Sequence, residues 1–284
     1  MSPDPRLTLR LDDLADARLE GIFPAAAYRT ALGFRVQTPR AAIRNQPDPQ
    51  AEQVSELLLG ERFHRLDTVD GFSFGQCGRD GYVGYVASEA LAPVTDQPLA
   101  HPYRVAHLTT FAFRDASIKA PARGPFALNS RVEVTAEEDR FLYVPEVGYF
   151  VADHLAPLGQ FERDPAKVAE RFLHTPYLWG GSSALGVDCS GLVQQALRAC
   201  GIACPRDSDQ QQALGRELEL DEDALQRGDL VFWRGHVAMM LDDKNMVHAN
   251  AHHMAVTIEP LQTAVARIAA DQGHRPVRYR RLAI

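Results

Sequence analysis

Cys189 stands in the run Asp188-Cys189-Ser190-Gly191, at the mouth of a stretch in which Leu192, Val193, Ala196, Leu197 and Cys200 share one helical face and Gly201 follows as a stop. Asp188 is placed to cap that helix. A thiol at a helix N-terminus faces unpaired backbone N–H groups and the positive end of the dipole, both of which favour the reactive thiolate. The glycines of Tyr177-Leu178-Trp179-Gly180-Gly181 allow close backbone approach, and the N–H groups after Cys189 are candidate oxyanion donors. A buried structural cysteine is the competing reading of Cys189. A thiol nucleophile also needs a base and a group that orients the base. His236 opens a strand-like run after Arg234-Gly235, and His248 lies on the next run, which is the order a Cys-His-His triad requires. A solvated or satisfied side chain is the ordinary fate of any one of the 10 histidines, and His252 and His253 in their turn read that way. Cys200 and Cys204 are spaced CxxxC with no partnering CxxC or HxxxH pair, so no metal site and no cofactor are expected.

These residues need a scaffold. Val168–Thr175 predicts a helix ending before Pro176, Asp188–Gly201 a second, and three strand-like runs follow Gly228–Gly235: HVAMML, NMVHAN and MAVTIEPL, separated by DDK and AHH. Helices first and antiparallel strands after make an α+β domain over 163–284. Upstream the texture is all-β, with short runs such as GYVGYV and RFLYVPEVGYFV between Gly, Pro and Asp. GYVASEALAP at 84–93 is echoed by GYFVADHLAP at 148–157, which predicts two copies of a small barrel, at 34–95 and 96–158. Residues 1–33, with Leu11, Leu14 and Leu19 near helical spacing, predict a short helical arm. The face parity of the two histidines adds a constraint. A two-residue turn at Asp243-Lys244 would pair Asp242 with Asn245, an odd sum, and put His236 and His248 on opposite faces. A three- or five-residue turn, or a bulge, is therefore expected around Asp242–Asn245.

A chain of 284 residues with 45% hydrophobic and 24% charged residues is long enough for two or three globular domains. Its formal charge of -7 disfavours a nucleic-acid groove and adsorption to anionic membranes or wall polymers. The opening MSPDPRLTLRLDDLADARLEG has no basic start followed by an apolar stretch, and four cysteines are too few for a disulfide framework. A cytoplasmic location with reduced thiols is the expectation.

TPYLWGGSSALGVDCSGLVQQAL, CPRDSDQQ, RGDLVFWRGHVAMML and MVHA together resemble the NlpC/P60 papain-like hydrolase domain over 163–284. The resemblance implies Cys189 as nucleophile, His236 as base and His248 as third member. It implies Tyr177 as a substrate contact beside the nucleophile, Trp179 as a pocket wall, with core packing its alternative, and Asp188, Ser190, Asp207 and Ser208 along the substrate groove. SELLLGE and RDGYVGYV resemble the tandem bacterial SH3 domains that precede this domain in γ-D-glutamyl-L-diamino-acid endopeptidases. There an SH3 acid and a tyrosine hold the free amine of an N-terminal L-Ala. Glu56 and Tyr82 are the matching residues, with Tyr85 as competitor.

The implied fold is thus an α+β, papain-like catalytic domain behind two small SH3-like barrels. The implied partner is a small murein peptide, with no nucleic acid and no membrane. An amidase or acyltransferase on the same scaffold, and a wall-binding protein whose hydrolase is incidental, are the rival readings. An acid and tyrosine that read a free amine would separate the peptidase from the first of these.

Overall fold

The carboxylate of Asp16 shapes the start of the chain. The Asp16 side chain accepts from the backbone N–H of Arg18 at 3.0 Å and of Ala31 at 3.2 Å, bonds that hold a turn rather than a helix. In the computed structural model, which describes residues 4–94, 100–219 and 225–283, the arm is therefore not helical. It holds strands β1 (Leu14–Asp16) and β2 (Ala27–Arg29), paired in parallel, with one 3-10 turn at Ala17–Leu19. Its leucines serve as an apolar patch: Leu9 is buried against Leu66 and Phe74, with Leu11 and Leu14 alongside.

The chain divides into two compact units, Met1–Leu158 and Gly159–Ile284. Beyond the arm, the first unit runs through β3 (Leu32–Val36), β4 (Arg40–Arg44), β5 (Gln53–Leu58), β6 (Arg62–Val69), β7 (Phe72–Cys77), β8 (Val83–Ala87) and β9 (Leu91–Pro93). These form one sheet in the order β5-β4-β8-β7-β6-β3-β9. Then come β10 (Pro102–Val105), β11 (Thr109–Phe113), β12 (Ala122–Ala127), β13 (Arg131–Glu133), β14 (Ala136–Glu138), β15 (Phe141–Val144), β16 (Gly148–Val151) and β17 (Leu155–Pro157). Their orders are β12-β11-β16-β15-β14 and β13-β10-β17. The second set repeats the pairing of the first, with the single long strand β6 replaced by the two pieces β13 and β14. The sequence echo falls on equivalent elements: β8 to β9 in one copy, β16 to β17 in the other, each joined by a 3-10 turn. Each set has its own core, one around Phe34, Ile43, Leu57 and Phe63, the other around Val105, Phe126, Val132 and Phe150.

The second unit begins with helix α1 (Pro165–Glu170), whose N-cap Asp164 accepts from the N–H of Lys167. The helix is shorter than expected, giving way to tight turns that end at His174 with φ 69°. After the small hairpin β18 (Ser182–Ser183) and β19 (Gly186–Val187) come α2 (Cys189–Ala199), α3 (Ser208–Gln211) and β20 (Arg216–Leu218). The remaining elements are β21 (Leu230–Trp233), β22 (His236–Met240), β23 (Asn245–Asn250), β24 (Ala255–Pro260), α4 (Leu261–Gln272) and β25 (Arg278–Arg281). The sheet order is β20-β25-β21-β22-β23-β24. Leu192, Val193 and Leu197 of α2 are at most 1% exposed, and each contributes about 1.5–3 kcal/mol by leaving water. Helix α2 ends where expected, because Gly201 at φ 77° lets Ile202 N–H reach the Leu197 carbonyl at 2.9 Å and Gly201 N–H the Arg198 carbonyl at 3.0 Å. Helix α4 covers the other face of the sheet, packing Leu261, Ala264, Val265 and Ile268 on Val231, Ala238, Met240 and Met246. Among the described residues no helix is long and apolar enough to cross a membrane.

Candidate active site

Cys189 is the first residue of α2, and Asp188 caps it by accepting from Gly191 N–H at 2.7 Å. The other carboxylate oxygen of Asp188 accepts from Gly180 N–H at 2.8 Å, tying the Gly-Gly turn to the helix start. Gly191 has to be glycine: a Cβ there would lie 2.3 Å from the Gly181 carbonyl oxygen. The carboxylate is also gripped by Arg206, Nη2 to Oδ2 at 2.5 Å and Nη1 to Oδ1 at 3.0 Å, while Nη1 donates to Ser190 Oγ at 2.8 Å. Ser190 Oγ bonds Asp188 Oδ1 at 3.2 Å. Asp188 and Ser190 are thus beside the nucleophile, with their polar atoms engaged in building the site. Asp207 caps α3 through a reciprocal box with Gln210, and Ser208, its first residue, is buried.

Cys189 is 6% exposed. Burial, helped by the charge of Asp188, pushes its thiol up to about 12, against the N–H groups of Val237 and Ser190 and the charge of Arg206. The helix N-terminus therefore does not win, and the resting sulfur is a thiol rather than the expected thiolate. The N–H of Val237, the residue that follows His236, nonetheless favours the ionised sulfur, which places Cys189 near the start of β22.

His236 begins β22 after the turn at Arg234-Gly235, where Gly235 has φ 73°. The pairing of β22 with β23 sets Met239 opposite Val247 and Met240 opposite Met246, and Leu241 N–H donates to Asn245 C=O at 2.8 Å. The loop is thus the three residues Asp242, Asp243 and Lys244, the sum is even, and both imidazoles lie on one face, His236 Nε2 being 2.9 Å from His248 Nδ1. Burial first, then the neighbouring His248 and Arg267, push His236 down to about 3, so its imidazole is neutral and able to accept a proton. His248, 1% exposed, is likewise pushed down by burial. Its Nε2 lies 2.8 Å from Glu259 Oε1 and 3.0 Å from Asn250 Nδ2.

Tyr177 is half-buried and fixed by its N–H donating to Met254 C=O at 2.9 Å. Burial, then the nearby Cys189 and Asp188, push its phenol up and keep the hydroxyl protonated. Trp179 is 58% exposed, which removes the core-packing alternative. Tyr177, His236, His248, His252, Arg267 and Asp271 are among the residues that line one cavity of about 430 Å3. His252 and His253 are exposed in their turn, as read from the sequence. Glu56 and Tyr82 belong to the first unit: Glu56 is buried and paired with Arg40 at 2.9 Å, and Tyr82, 5% exposed, packs in the core around Phe34 and Ile43. Tyr85 is half-buried against Phe74, ring centroids 4.9 Å apart.

Arg206, Gln211, Asn250, Glu259 and Arg267 were not singled out in the sequence. Gln211 donates to the Ser190 and Pro205 carbonyls at 3.0 and 2.9 Å. An arginine flanked by Pro205 and Asp207 inside an otherwise recognised motif was the one available signal. Among the described residues no group of three or more His, Cys, Asp or Glu side chains is gathered as a metal cage would be.

Residues 174–271 match the model of the NlpC/P60 family, and residues 43–91 that of the bacterial dipeptidyl-peptidase SH3 domain. A γ-D-glutamyl-L-lysine dipeptidyl-peptidase of Bacillus cereus is 39% identical over 108 residues, 35% of this chain and 32% of that protein. Dipeptidyl-peptidase 6 of Lysinibacillus sphaericus is 34% identical over 124 residues, 41% of this chain and 45% of that protein. The chain thus spans less than half the length of either relative. The crystal structure of an NlpC/P60 family protein from Bacillus cereus superposes with a TM-score of 0.75 at 21% identity, over 89% of this chain and all of that one, a likeness of fold.

Proposed function

We propose that this chain, which carries an NlpC/P60 domain and a bacterial dipeptidyl-peptidase SH3 domain, is a cysteine peptidase. It hydrolyses the bond from γ-D-Glu to a diamino acid in small murein peptides that begin with an unblocked L-Ala. The observation that carries this reading is a cysteine at the N-terminus of α2, under the influence of the Val237 N–H that follows His236, together with a neutral His236 backed by His248 at 2.9 Å.

Cys189 Sγ attacks the γ-carbonyl carbon as His236 takes the thiol proton, so the two charges form only together. The backbone N–H groups that follow Cys189 at the start of α2 are the oxyanion donors. Collapse of the tetrahedral intermediate breaks the C–N bond, and His236 returns the proton to the leaving amine of the diamino acid. The resulting thioester is opened by water, with His236 again taking the proton, and L-Ala-γ-D-Glu leaves. Tyr177, protonated and half-buried beside the nucleophile, and Trp179 border the acyl side, with Asp188, Ser190, Asp207 and Ser208 shaping the groove. Glu56, with Tyr82 or Tyr85, supplies the SH3 acid and tyrosine that the resemblance implies as reader of the L-Ala ammonium. Two relatives named as dipeptidyl-peptidases support this division of the peptide. Peptide recycling in the cytoplasm is the setting that a small, free-amine substrate supports.

The test is digestion of L-Ala-γ-D-Glu-diamino-acid peptide and of its N-acetylated form, read by mass spectrometry, with Cys189→Ala as control. Release of L-Ala-γ-D-Glu from the free peptide alone is expected. Transfer or amide cleavage elsewhere would favour the amidase or acyltransferase reading, and equal rates on both peptides would remove the amine gate.

A further inference from the structure

The residues behind the two histidines are more specific than orientation of a base requires. Strand β24 pairs with β23 so that Met246 faces Glu259 and His248 faces Thr257. Glu259 is thus the diagonal neighbour of His248 on the same face of the sheet. Its carboxylate touches His248 Nε2 at 2.8 Å and is held from the other side by Arg267 of α4, in a short ion pair. We infer that Glu259 is a positioning residue for the proposed reaction: it fixes the tautomer of His248 and, through it, leaves Nδ1 of His236 as the nitrogen that accepts the thiol proton. The inference rests on the peptidase reading for its reaction, and on hydrogen-bond logic for its geometry.

Ionised beside Arg267, Glu259 can only accept, and His248 and Arg267 together hold its carboxyl below the ordinary value against the effect of burial. A bare Nε2 lone pair 2.8 Å from that oxygen would be repelled, so Nε2 of His248 carries the proton. Asn250 does not compete. Its Oδ1 accepts from the backbone N–H of His253 at 2.8 Å, which fixes the amide orientation, and the two N–H groups of its Nδ2 have Thr257 Oγ1 at 2.9 Å and the Ala255 carbonyl at 3.5 Å as acceptors. Because burial keeps His248 neutral, a proton on Nε2 leaves Nδ1 bare. His236 Nε2, 2.9 Å away, must therefore be the donor. His236 is also neutral, so its own Nδ1 is bare, and that lone pair is the base. One carboxylate thus determines the protonated nitrogen of two imidazoles in series.

The same geometry predicts what removing the charge does. In Glu259→Gln, Arg267 retains the amide oxygen and turns the NH2 toward His248 Nε2, so two donors meet. Moving the His248 proton to Nδ1 relieves this, but that nitrogen then faces the N–H of His236 and drives its proton to Nδ1 as well. The base loses its lone pair. A wrong tautomer disables an otherwise intact nucleophile–base pair, so kcat is expected to fall by about 10²-fold or more with little change in KM.

The experiment uses the full chain with 15N-labelled histidine, reading each imidazole nitrogen by NMR without substrate and comparing wild type, Glu259→Gln and Glu259→Asp. Expected is a protonated Nε2 and bare Nδ1 on both His236 and His248 in wild type, the reverse in Glu259→Gln, and the wild-type pattern in Glu259→Asp with part of the rate restored. A proton on His248 Nδ1 in wild type, or unchanged tautomers in a folded Glu259→Gln, overturns the inference even if activity falls, since Glu259 would then be only a brace for α4. If Glu259→Gln does not fold, the wild-type and Glu259→Asp spectra decide. The spectra need no turnover, so failure of the peptidase reading and failure of this one are read separately.

Discussion

Arg206 and Asp188 meet in a two-pronged ion pair with side chains only 1% and 8% exposed, Nη2 to Oδ2 at 2.5 Å. The pair joins the loop after α2 to the turn before it, so the nucleophile is clamped from both sides. Replacing Arg206 by Leu strands the carboxylate in the interior, and a loss of about 3–5 kcal/mol is expected. Urea unfolding measures it. A loss of less than about 1 kcal/mol would show that the Gly180, Gly191 and Ser190 bonds satisfy Asp188 without the arginine.

The two triad histidines make stability depend on pH. His236 is pushed down to about 3 and His248 is also lowered, both first by burial. Folded values below the unfolded value of about 6.5 mean that the unfolded chain binds more protons in that window. This stabilisation is complete above about 6.5 and is lost as the pH falls toward the folded values, at about 1.4 kcal/mol per pH unit for each group while it lasts. The urea midpoint should fall on acidification below about 6.5, and His236→Gln should flatten the slope. His64 and His154, lowered by burial in the first unit, add to the same window and would remain in that variant. A midpoint independent of pH between 6.5 and 5, a range set by the unfolded imidazole, would overturn the buried neutral pair. Because neutral His236 is the active form, kcat/KM should likewise show no acid limb near 6.5.

What was legible in the sequence was local. The α2 helix carries its own cap, face and stop; the strands bearing His236 and His248 carry their turns; and the parity of two strand positions excluded a two-residue loop. The arm was misread because Leu11 and Leu14 are compatible with a helix, whereas Leu14–Asp16 pairs as a strand with Ala27–Arg29 and Asp16 caps only a three-residue 3-10 turn. Helix α4 had the spacing Leu261, Ala264, Val265, Ile268 but followed a strand run without a recognised break. Arg206 and Glu259 were not legible because each is defined by a partner 18 or 11 residues away, across a fold that local patterning does not specify. The thiolate expectation rested on the helix N-terminus alone. Burial of the thiol, which reverses the outcome, is a property of the packed domain.

Two features of the β22–β23 hairpin bear on the His236–His248 register. The three-residue loop has its own device: the Asn245 side chain donates to Asp242 Oδ2 at 3.0 Å, and Asp242 Oδ1 accepts from the backbone N–H groups of Asn245 at 2.6 Å and Lys244 at 2.8 Å, bonds that lower the Asp242 carboxyl. The strands supply a second. Met240 and Met246 pair on the α4 face and are fully buried, as are Met239 and Val247, which pair on the opposite face. Slipping by one residue would exchange the two sets and carry His248 away from His236. The buried set outweighs an exposed turn, since several side chains at about 1.5–3 kcal/mol each stand against hydrogen bonds worth about 1 kcal/mol each. Asp242→Ala should therefore cost about 1–2 kcal/mol in urea unfolding, with Asp242→Asn recovering part of it. Peptide hydrolysis should stay close to wild type in both. A folded Asp242→Ala that has lost hydrolysis, with the His236–His248 contact absent from its spectrum, would show instead that the loop sets the register and the core only accepts it.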